Sequence, residues 1–153
     1  MYGLPLTMYV LAGWLGRSDL TTNHFLGHAW PVVFGLPDEW LVVFDVAGQA
    51  LIALGALIAL AGWRAIHRAR REKRLATTGL YARIRHPQYT GCFLCLAGSV
   101  VNWPTIPTLL MLPVLCLVYV RLARAEEADA LAEFGDEYRA YMARTGGFLP
   151  RFQ

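Results

Sequence analysis

A run of 33 residues without a charge is the feature that most restricts the fold of this chain. No Lys, Arg, Asp or Glu occurs in 88–120, whereas about 20 apolar residues are enough to cross the hydrocarbon core of a bilayer. Pro104 and Pro107 interrupt the run near its middle, and proline disfavours helix at the residue before it. The run therefore predicts a helical hairpin with limbs at about 88–102 and 105–124.

A second apolar segment, Trp40–Trp63, predicts another membrane helix. It contains 18 consecutive uncharged residues and has a Trp at each end, as membrane–water boundaries often do. The composition agrees: 56% of the chain is hydrophobic and 16% is charged, against roughly 45–50% and 25% in soluble domains. With a first span near 3–16, we expect an all-α integral membrane protein with about four membrane helices. A disordered chain and a water-soluble nucleotide-binding enzyme are excluded.

The distribution of positive charge predicts the orientation. Eight of the 14 Lys and Arg residues lie in 64–85, directly after an apolar span. A basic cluster can bind nucleic acid, but this position favours the positive-inside tendency, so we expect a cytoplasmic face and no nucleic-acid partner. After Arg121 the sequence becomes charged and helical in pattern, with breaks at Gly135 and at Gly146-Gly147. It predicts a cytoplasmic helical cap.

The turn before the uncharged run has the features of a ligand site. Pro87 is preset for the first turn of a helix. The free N–H groups of the residues that follow it point back toward His86 and can bind an anion or a polar ligand. A turn whose arginines face lipid headgroups is the alternative interpretation.

An acidic pair stands where the hairpin returns to charged sequence. Arg121 and Arg124 are three residues apart and share a helix face, and Glu126 and Glu127 follow them. Adjacent carboxylates can bind sugar hydroxyls or offset a ligand's positive charge, whereas a solvated helix with local ion pairs is the alternative. A set of aromatic residues nearby either packs the cap or roofs an adenine or a lipid tail: Phe134, Tyr138, Tyr141 and Phe148.

The cysteines and two N-terminal histidines predict no metal site. Cys92, Cys95 and Cys116 lie inside apolar runs, so packing within helices is favoured over a disulfide or zinc site. His24 and His28 are four residues apart and can share a helix face, but no third ligand is evident. The non-enzymatic alternative is a small membrane sensor, or a subunit that binds metal or haem, in which these two histidines would be ligands.

The order of these motifs resembles that of a known family. GLYARIRHPQYTG, a helical hairpin, the Glu-Glu pair and FGDEYRAYMARTGGFLPRF occur in the same sequence order as in the isoprenylcysteine carboxyl methyltransferase family. That family is related to the membrane phospholipid N-methyltransferases. The resemblance covers about residues 75–152, half of the chain, and it implies two parts: N-terminal membrane helices at 1–63 and a catalytic region at 64–153.

The resemblance also implies a cofactor, S-adenosylmethionine, and residues that bind it. Family members hold the substrate carboxylate with an arginine just before the acidic pair, for which Arg124 is the first choice and Arg121 the second. Family members also use a polar residue near the position of Ile66, where this chain departs from the pattern. The residues implied to lie at the cofactor are Leu75, Ala76, Tyr81, His86, Pro87, Gln88, Tyr89, Glu126 and Glu127.

The resemblance leaves the methyl acceptor open. A carboxylate is ionised at pH 7 and needs no base, whereas an amine would arrive protonated and need one, with His86 or Glu127 nearest. Carboxyl O-methylation of an isoprenylcysteine-like substrate is the leading expectation. Phospholipid N-methylation and thiol S-methylation are the alternatives. In each case the partners are the bilayer and a hydrophobic or prenylated small acceptor, and the active site faces the cytoplasm.

Overall fold

The described residues of the computed structural model form an all-helical chain. They are Val10, Gly13 and Trp14, residues 34–37 and residues 39–151. A single isolated bridge joins Ile84 to Gly146 in this part of the chain. Its helices are α1 (Glu39–Arg71), a 3₁₀ turn (Gly79–Ala82), α2 (Pro87–Asn102), α3 (Ile106–Phe134) and α4 (Asp136–Arg144).

Two of these helices, α1 and α3, are long and apolar enough to cross a membrane. Their apolar side chains point outward: Leu57 is 66% exposed, Leu110 63% and Leu117 64%. The predicted span Trp40–Trp63 lies inside α1, which confirms it as a helix. The predicted first span near 3–16 lies outside the described residues, apart from Val10, Gly13 and Trp14.

The predicted hairpin corresponds to α2 and α3. α2 begins at Pro87 and ends at Asn102, as the proline pattern predicted. Its 16 residues give it a length of about 24 Å at 1.5 Å per residue. Pro113 lies inside α3, which is one continuous helix.

The second limb extends beyond the predicted end near residue 124. α3 runs to Phe134 without a break where the sequence becomes charged, because residues 121–134 are rich in Ala, Leu, Glu and Arg, which favour helix. The predicted break at Gly135 is confirmed. Gly135 has φ 52° and ψ −119°, a backbone conformation that suits glycine.

The chain divides into two compact units. One comprises Met1–Ile52 with Leu96–Val114, and the other comprises Ala53–Cys95 with Leu115–Gln153. In the first unit α1 meets α2 at glycines: a Cβ atom on Gly98 would lie 2.7 Å from the Gly48 carbonyl oxygen. The predicted boundary between residues 63 and 64 stays a prediction.

The second unit also brings α1 and α2 together through glycine. A Cβ atom on Gly91 would lie 2.4 Å from the carbonyl oxygen of Gly55, so any larger residue would push the two backbones apart. Small residues allow this close approach between apolar helices. Among the described residues, the buried apolar side chains of the core lie in this unit, on the end of α1, the loop and 3₁₀ turn after it, α3 and α4: Ala69, Ala76, Tyr81, Ile84, Ala123, Tyr138 and Tyr141.

Candidate functional site

A cavity of about 220 Å³ lies inside the second unit. It is lined by the end of α1, the loop after it, the start of α2, the charged half of α3, and α4. Lys73, at φ 49°, adopts the left-handed conformation common just after a helix end. The chain then turns so that Arg74, Leu75 and Ala76 line the cavity.

The turn before α2 is held by the C-terminal segment. Two backbone bonds run from the turn to this segment: Arg85 N–H donates to Gly146 O at 2.8 Å, and His86 N–H donates to Gly147 O at 3.0 Å. Thr90 Oγ1 donates to the carbonyl oxygen of Phe148 at 2.7 Å. These contacts fix the start of α2 against the end of the chain.

The Arg85 side chain connects three elements. Its Nε donates to Glu127 Oε1 at 2.7 Å, which joins the turn to α3. Its Nη1 donates to the carbonyl oxygens of Thr145, at 2.6 Å, and Met142, at 3.3 Å. The planar guanidinium is suited to this role because it offers several donors in a fixed geometry.

His86 meets both members of the acidic pair. Its ring is buried, with Nε2 at 3.0 Å from Glu127 Oε1 and Nδ1 at 3.7 Å from Glu126 Oε2. Tyr89 donates its hydroxyl to Glu126 Oε1 at 2.8 Å. Since an ionised carboxylate only accepts hydrogen bonds, Nε2 is the nitrogen that donates to Glu127. The turn and the acidic pair, separated by about 40 residues in sequence, therefore form one cluster.

Three buried tyrosines line the cavity. The Tyr141 hydroxyl donates to the carbonyl oxygen of Tyr81 at 2.7 Å, and both residues are buried, as is Tyr138. Burial, and next the charge of Glu126, raise the pKa of Tyr81. Burial raises the pKa of Tyr138 and of Tyr141 to about 12. At neutral pH all three phenols are therefore protonated and do not act as bases; Tyr141 serves as a donor, and Tyr138 contributes packing.

The cavity carries opposite charges on two of its walls. Cations come from the end of α1 and the loop that follows, and carboxylates come from α3, where the spacing of three to four residues places them on one helix face. These cations are Arg70, Lys73 and Arg74, the carboxylates are Glu126, Asp129 and Glu133, and Arg85 also lines the cavity from the turn before α2.

The nine residues that the resemblance implied as cofactor contacts lie in or beside this cavity. Pro87 is fully buried next to it. Tyr89 and Glu127 adjoin it through their hydrogen bonds to Glu126 and His86. The others form part of its wall: Leu75, Ala76, Tyr81, His86, Gln88 and Glu126. Ile66, the position at which the chain departs from the family pattern, also lines it.

The two predicted acceptor arginines lie elsewhere. Arg121 and Arg124 are exposed on α3, and neither is among the residues that line the cavity. Their proposed role stays a prediction.

Sequence reasoning missed several charged residues of the cavity. Arg70, Lys73 and Arg74 were assigned to membrane orientation alone. Asp129 and Glu133 continue the face that begins at Glu126, so helical spacing could have found them. Of the four aromatic candidates, Phe134, Tyr138 and Tyr141 line the cavity, and Phe148 packs on the His86 ring with centroids 5.6 Å apart.

Metal coordination has no support in the described part of the chain. Within residues 39–151, no group of three or more His, Cys, Asp or Glu side chains is arranged to hold a metal ion. The candidate ligands His24 and His28 lie outside the described residues.

Comparison with known proteins identifies the family. The model of a family described as phospholipid methyltransferase matches residues 43–137, which include the turn before α2 and the acidic pair. The chain belongs to the phospholipid methyltransferase family. The match covers α2 and α3 completely.

A curated relative supports the same assignment. The protein-S-isoprenylcysteine O-methyltransferase of Schizosaccharomyces pombe is 34% identical over 77 residues, which cover 50% of this chain and 33% of that protein. The matched part of the chain thus spans about a third of its relative's length. The resemblance to the isoprenylcysteine carboxyl methyltransferase family is confirmed. No solved structure matches the chain.

Proposed function

We propose that this chain is a membrane-embedded methyltransferase that uses S-adenosylmethionine and methylates a hydrophobic or lipid-linked carboxylate. The observation that carries the proposal is the cluster of His86 with Glu126 and Glu127 at the wall of a cavity with opposite charges. This cluster lies within the segment that matches the family.

The chemistry of the cavity fits the methyl donor. S-adenosylmethionine carries an ammonium, a carboxylate, a sulfonium and an adenosyl group. The cations at the end of α1 suit the carboxylate, and the α3 carboxylates suit the ammonium, the sulfonium or the ribose hydroxyls. Apolar and aromatic side chains of the wall suit the adenine ring: Ile66, Leu75, Ala76 and Phe134.

The residues of the cluster have positioning roles in this proposal. When bound, the donor supplies a methyl group from its sulfonium sulfur, which becomes a neutral thioether as the acceptor attacks the methyl carbon in line. Holding two reactants in line is worth roughly 7–11 kcal/mol of the barrier. Glu127, itself held by Arg85, fixes the His86 ring, and Tyr89 fixes the Glu126 carboxylate.

A carboxylate acceptor requires a cation on the protein. Arg124, with Arg121 as the second choice, would bind it bidentately, and no base is needed because the acceptor is already ionised. The name of the Schizosaccharomyces pombe relative favours this acceptor class.

Phospholipid N-methylation is the second candidate, favoured by the description of the matching family. An amine acceptor must lose a proton before it attacks. His86 is the candidate base for this step, because Glu127 already accepts hydrogen bonds from two donors.

The proposed topology places the chemistry at the cytoplasmic surface. In this arrangement about four spans cross the bilayer, the C-terminal region forms a helical cap, and the cavity opens to the cytoplasm, where the polar donor is dissolved. The acceptor would enter laterally from the bilayer. The exposed apolar surfaces of α1 and α3 support a location in the membrane. The basic end of α1 supports the cytoplasmic orientation.

A methyl-transfer assay tests the proposal and separates the acceptors. Purified protein in detergent is incubated with S-adenosylmethionine tritiated on the methyl group, together with a farnesylated cysteine, phosphatidylethanolamine or an alkyl thiol. We expect label in the farnesylated cysteine, released by mild base because it is a methyl ester. Base-stable label in phosphatidylethanolamine would favour the second candidate, label in the thiol would indicate S-methylation, and no transfer to any acceptor would contradict the proposal.

A further inference from the structure

A second cleft, of about 250 Å³, lies in the same unit. Three arginines line it: Arg64 and Arg68 from α1, and Arg74 from the loop that follows. Thr78 adds a hydroxyl at its edge, and Ala69, which is buried, is among the small residues that leave the space open.

The positive charge of this cleft has little compensation from the protein. In the part of the chain that the structure describes, no carboxylate oxygen lies within 4.0 Å of Arg64 or Arg68. Arg74 donates from Nε to Glu72, and within residues 39–151 its two terminal nitrogens make no hydrogen bond to the protein. Like charges four residues apart on a helix repel each other, so this arrangement favours a bound anion.

The arginines continue an apolar stripe of α1. Leu57, Leu60, Arg64 and Arg68 follow each other at intervals of three and four residues and therefore share one helix face. Leu57 is 66% and Leu60 50% exposed. Trp63, which is also exposed, marks the end of the apolar segment, as Trp does at membrane boundaries. The stripe changes from apolar to basic directly after Trp63, as expected where a helix passes from hydrocarbon to the headgroup region.

We propose that this cleft binds the phosphate group of an anionic membrane phospholipid. The guanidinium groups of Arg64 and Arg68 hold the phosphate oxygens, since arginine offers paired donors in a geometry that matches phosphate. The acyl chains of the lipid lie along the exposed leucines of the same face. Arg74 and Ala76 line both this cleft and the first cavity, whereas Arg64 and Arg68 line this cleft alone. Lipid binding through Arg64 and Arg68 does not depend on methyl transfer.

The test measures lipid affinity in the purified full-length chain. Phosphatidylglycerol with a fluorescent label on one acyl chain is titrated into the detergent-solubilised protein. Unlabelled phosphatidylglycerol, diacylglycerol with the same chains, and inorganic phosphate are then used as competitors. We expect phosphatidylglycerol to compete at micromolar concentration, diacylglycerol at least tenfold less well, and inorganic phosphate to have no effect at millimolar concentration.

A charge-matched pair of variants locates the site. Arg64→Gln with Arg68→Gln should weaken binding at least tenfold. Arg71→Gln with Arg83→Gln removes the same charge from exposed positions that line neither cavity, and it should change binding less than twofold. Equal losses in the two double variants would overturn the proposal, because general electrostatic attraction would then explain the binding.

Two outcomes of the competition experiment and one further variant also test the proposal. Competition by diacylglycerol as strong as that by phosphatidylglycerol, or displacement by millimolar inorganic phosphate, would overturn the proposal in favour of an apolar surface or a soluble-anion site. If size-exclusion chromatography and helix content show that the variant with both Arg64→Gln and Arg68→Gln does not fold, Arg68→Lys is tested in its place. It keeps the charge but loses the paired donors, so we expect binding at least threefold weaker, and unchanged affinity would refute the proposal.

Discussion

The hydrogen bond between Tyr141 and Tyr81 offers a sharp test of how α4 is held against the cavity. The Tyr141 hydroxyl donates to the Tyr81 carbonyl oxygen at 2.7 Å, and the two residues are 2% and 4% exposed. Tyr141→Phe removes this donor and leaves a buried carbonyl without it. Such a loss costs about 1–3 kcal/mol, and we expect the free energy of unfolding to fall by that amount.

Tyr138→Phe is the matched control. Tyr138 lies on the same helix, is 5% exposed and packs against Tyr141 with ring centroids 5.8 Å apart. Within residues 39–151, however, its hydroxyl makes no hydrogen bond to the protein. We therefore expect this variant to change the free energy of unfolding by less than about 0.5 kcal/mol, the range typical of substitutions that break no specific contact.

Denaturant titration of both variants in the same detergent, followed by circular dichroism, measures the difference. The expected result is a lower midpoint for Tyr141→Phe alone, with an unchanged slope. Equal stability losses in the two variants, or none in either, would refute the conclusion that this hydrogen bond fixes α4.

Other substitutions test packing and chemistry. Gly91→Ala should lower the free energy of unfolding by about 1–3 kcal/mol or more, the cost of overpacking, because the new Cβ atom would lie 2.4 Å from a backbone oxygen of α1. Ala97→Leu, at an exposed position of the same helix, should have little effect on the unfolding midpoint. Arg85→Lys should lower the free energy of unfolding by about 1–3 kcal/mol, because lysine cannot reproduce three bonds to separate elements, while the exposed Arg83→Lys should not. Arg124→Ala should keep affinity for S-adenosylhomocysteine in calorimetry and lose methyl transfer, and wild-type turnover would contradict its assignment to the acceptor.

Local patterns in the sequence predicted the helices well. Uncharged runs and prolines gave the bounds of α2 to within a residue, because a bilayer-length apolar segment and a proline each act locally. Gly135 marked the end of α3 for the same reason. The length of α3 was underestimated, because a change from apolar to charged residues was taken as a boundary although helix propensity continues through it.

The architecture of the site was harder to predict because its contacts join distant parts of the chain. The meeting of His86 with the acidic pair was expected from a family resemblance and not from spacing. Nothing in the sequence shows that Arg85 bonds to the carbonyl of Thr145, 60 residues away. Backbone acceptors carry no residue-type signal, so such contacts become visible only in the folded chain.

Calorimetric titration of the purified protein with S-adenosylhomocysteine tests the central claim most directly. We expect saturable binding that Glu126→Gln weakens at least tenfold, because this carboxylate lies on the cavity wall beside His86. Glu137→Gln, which removes an exposed carboxylate from α4, should bind as the wild type does. No heat of binding at millimolar ligand, or the same affinity in both variants, would contradict the claim that this cavity holds the methyl donor.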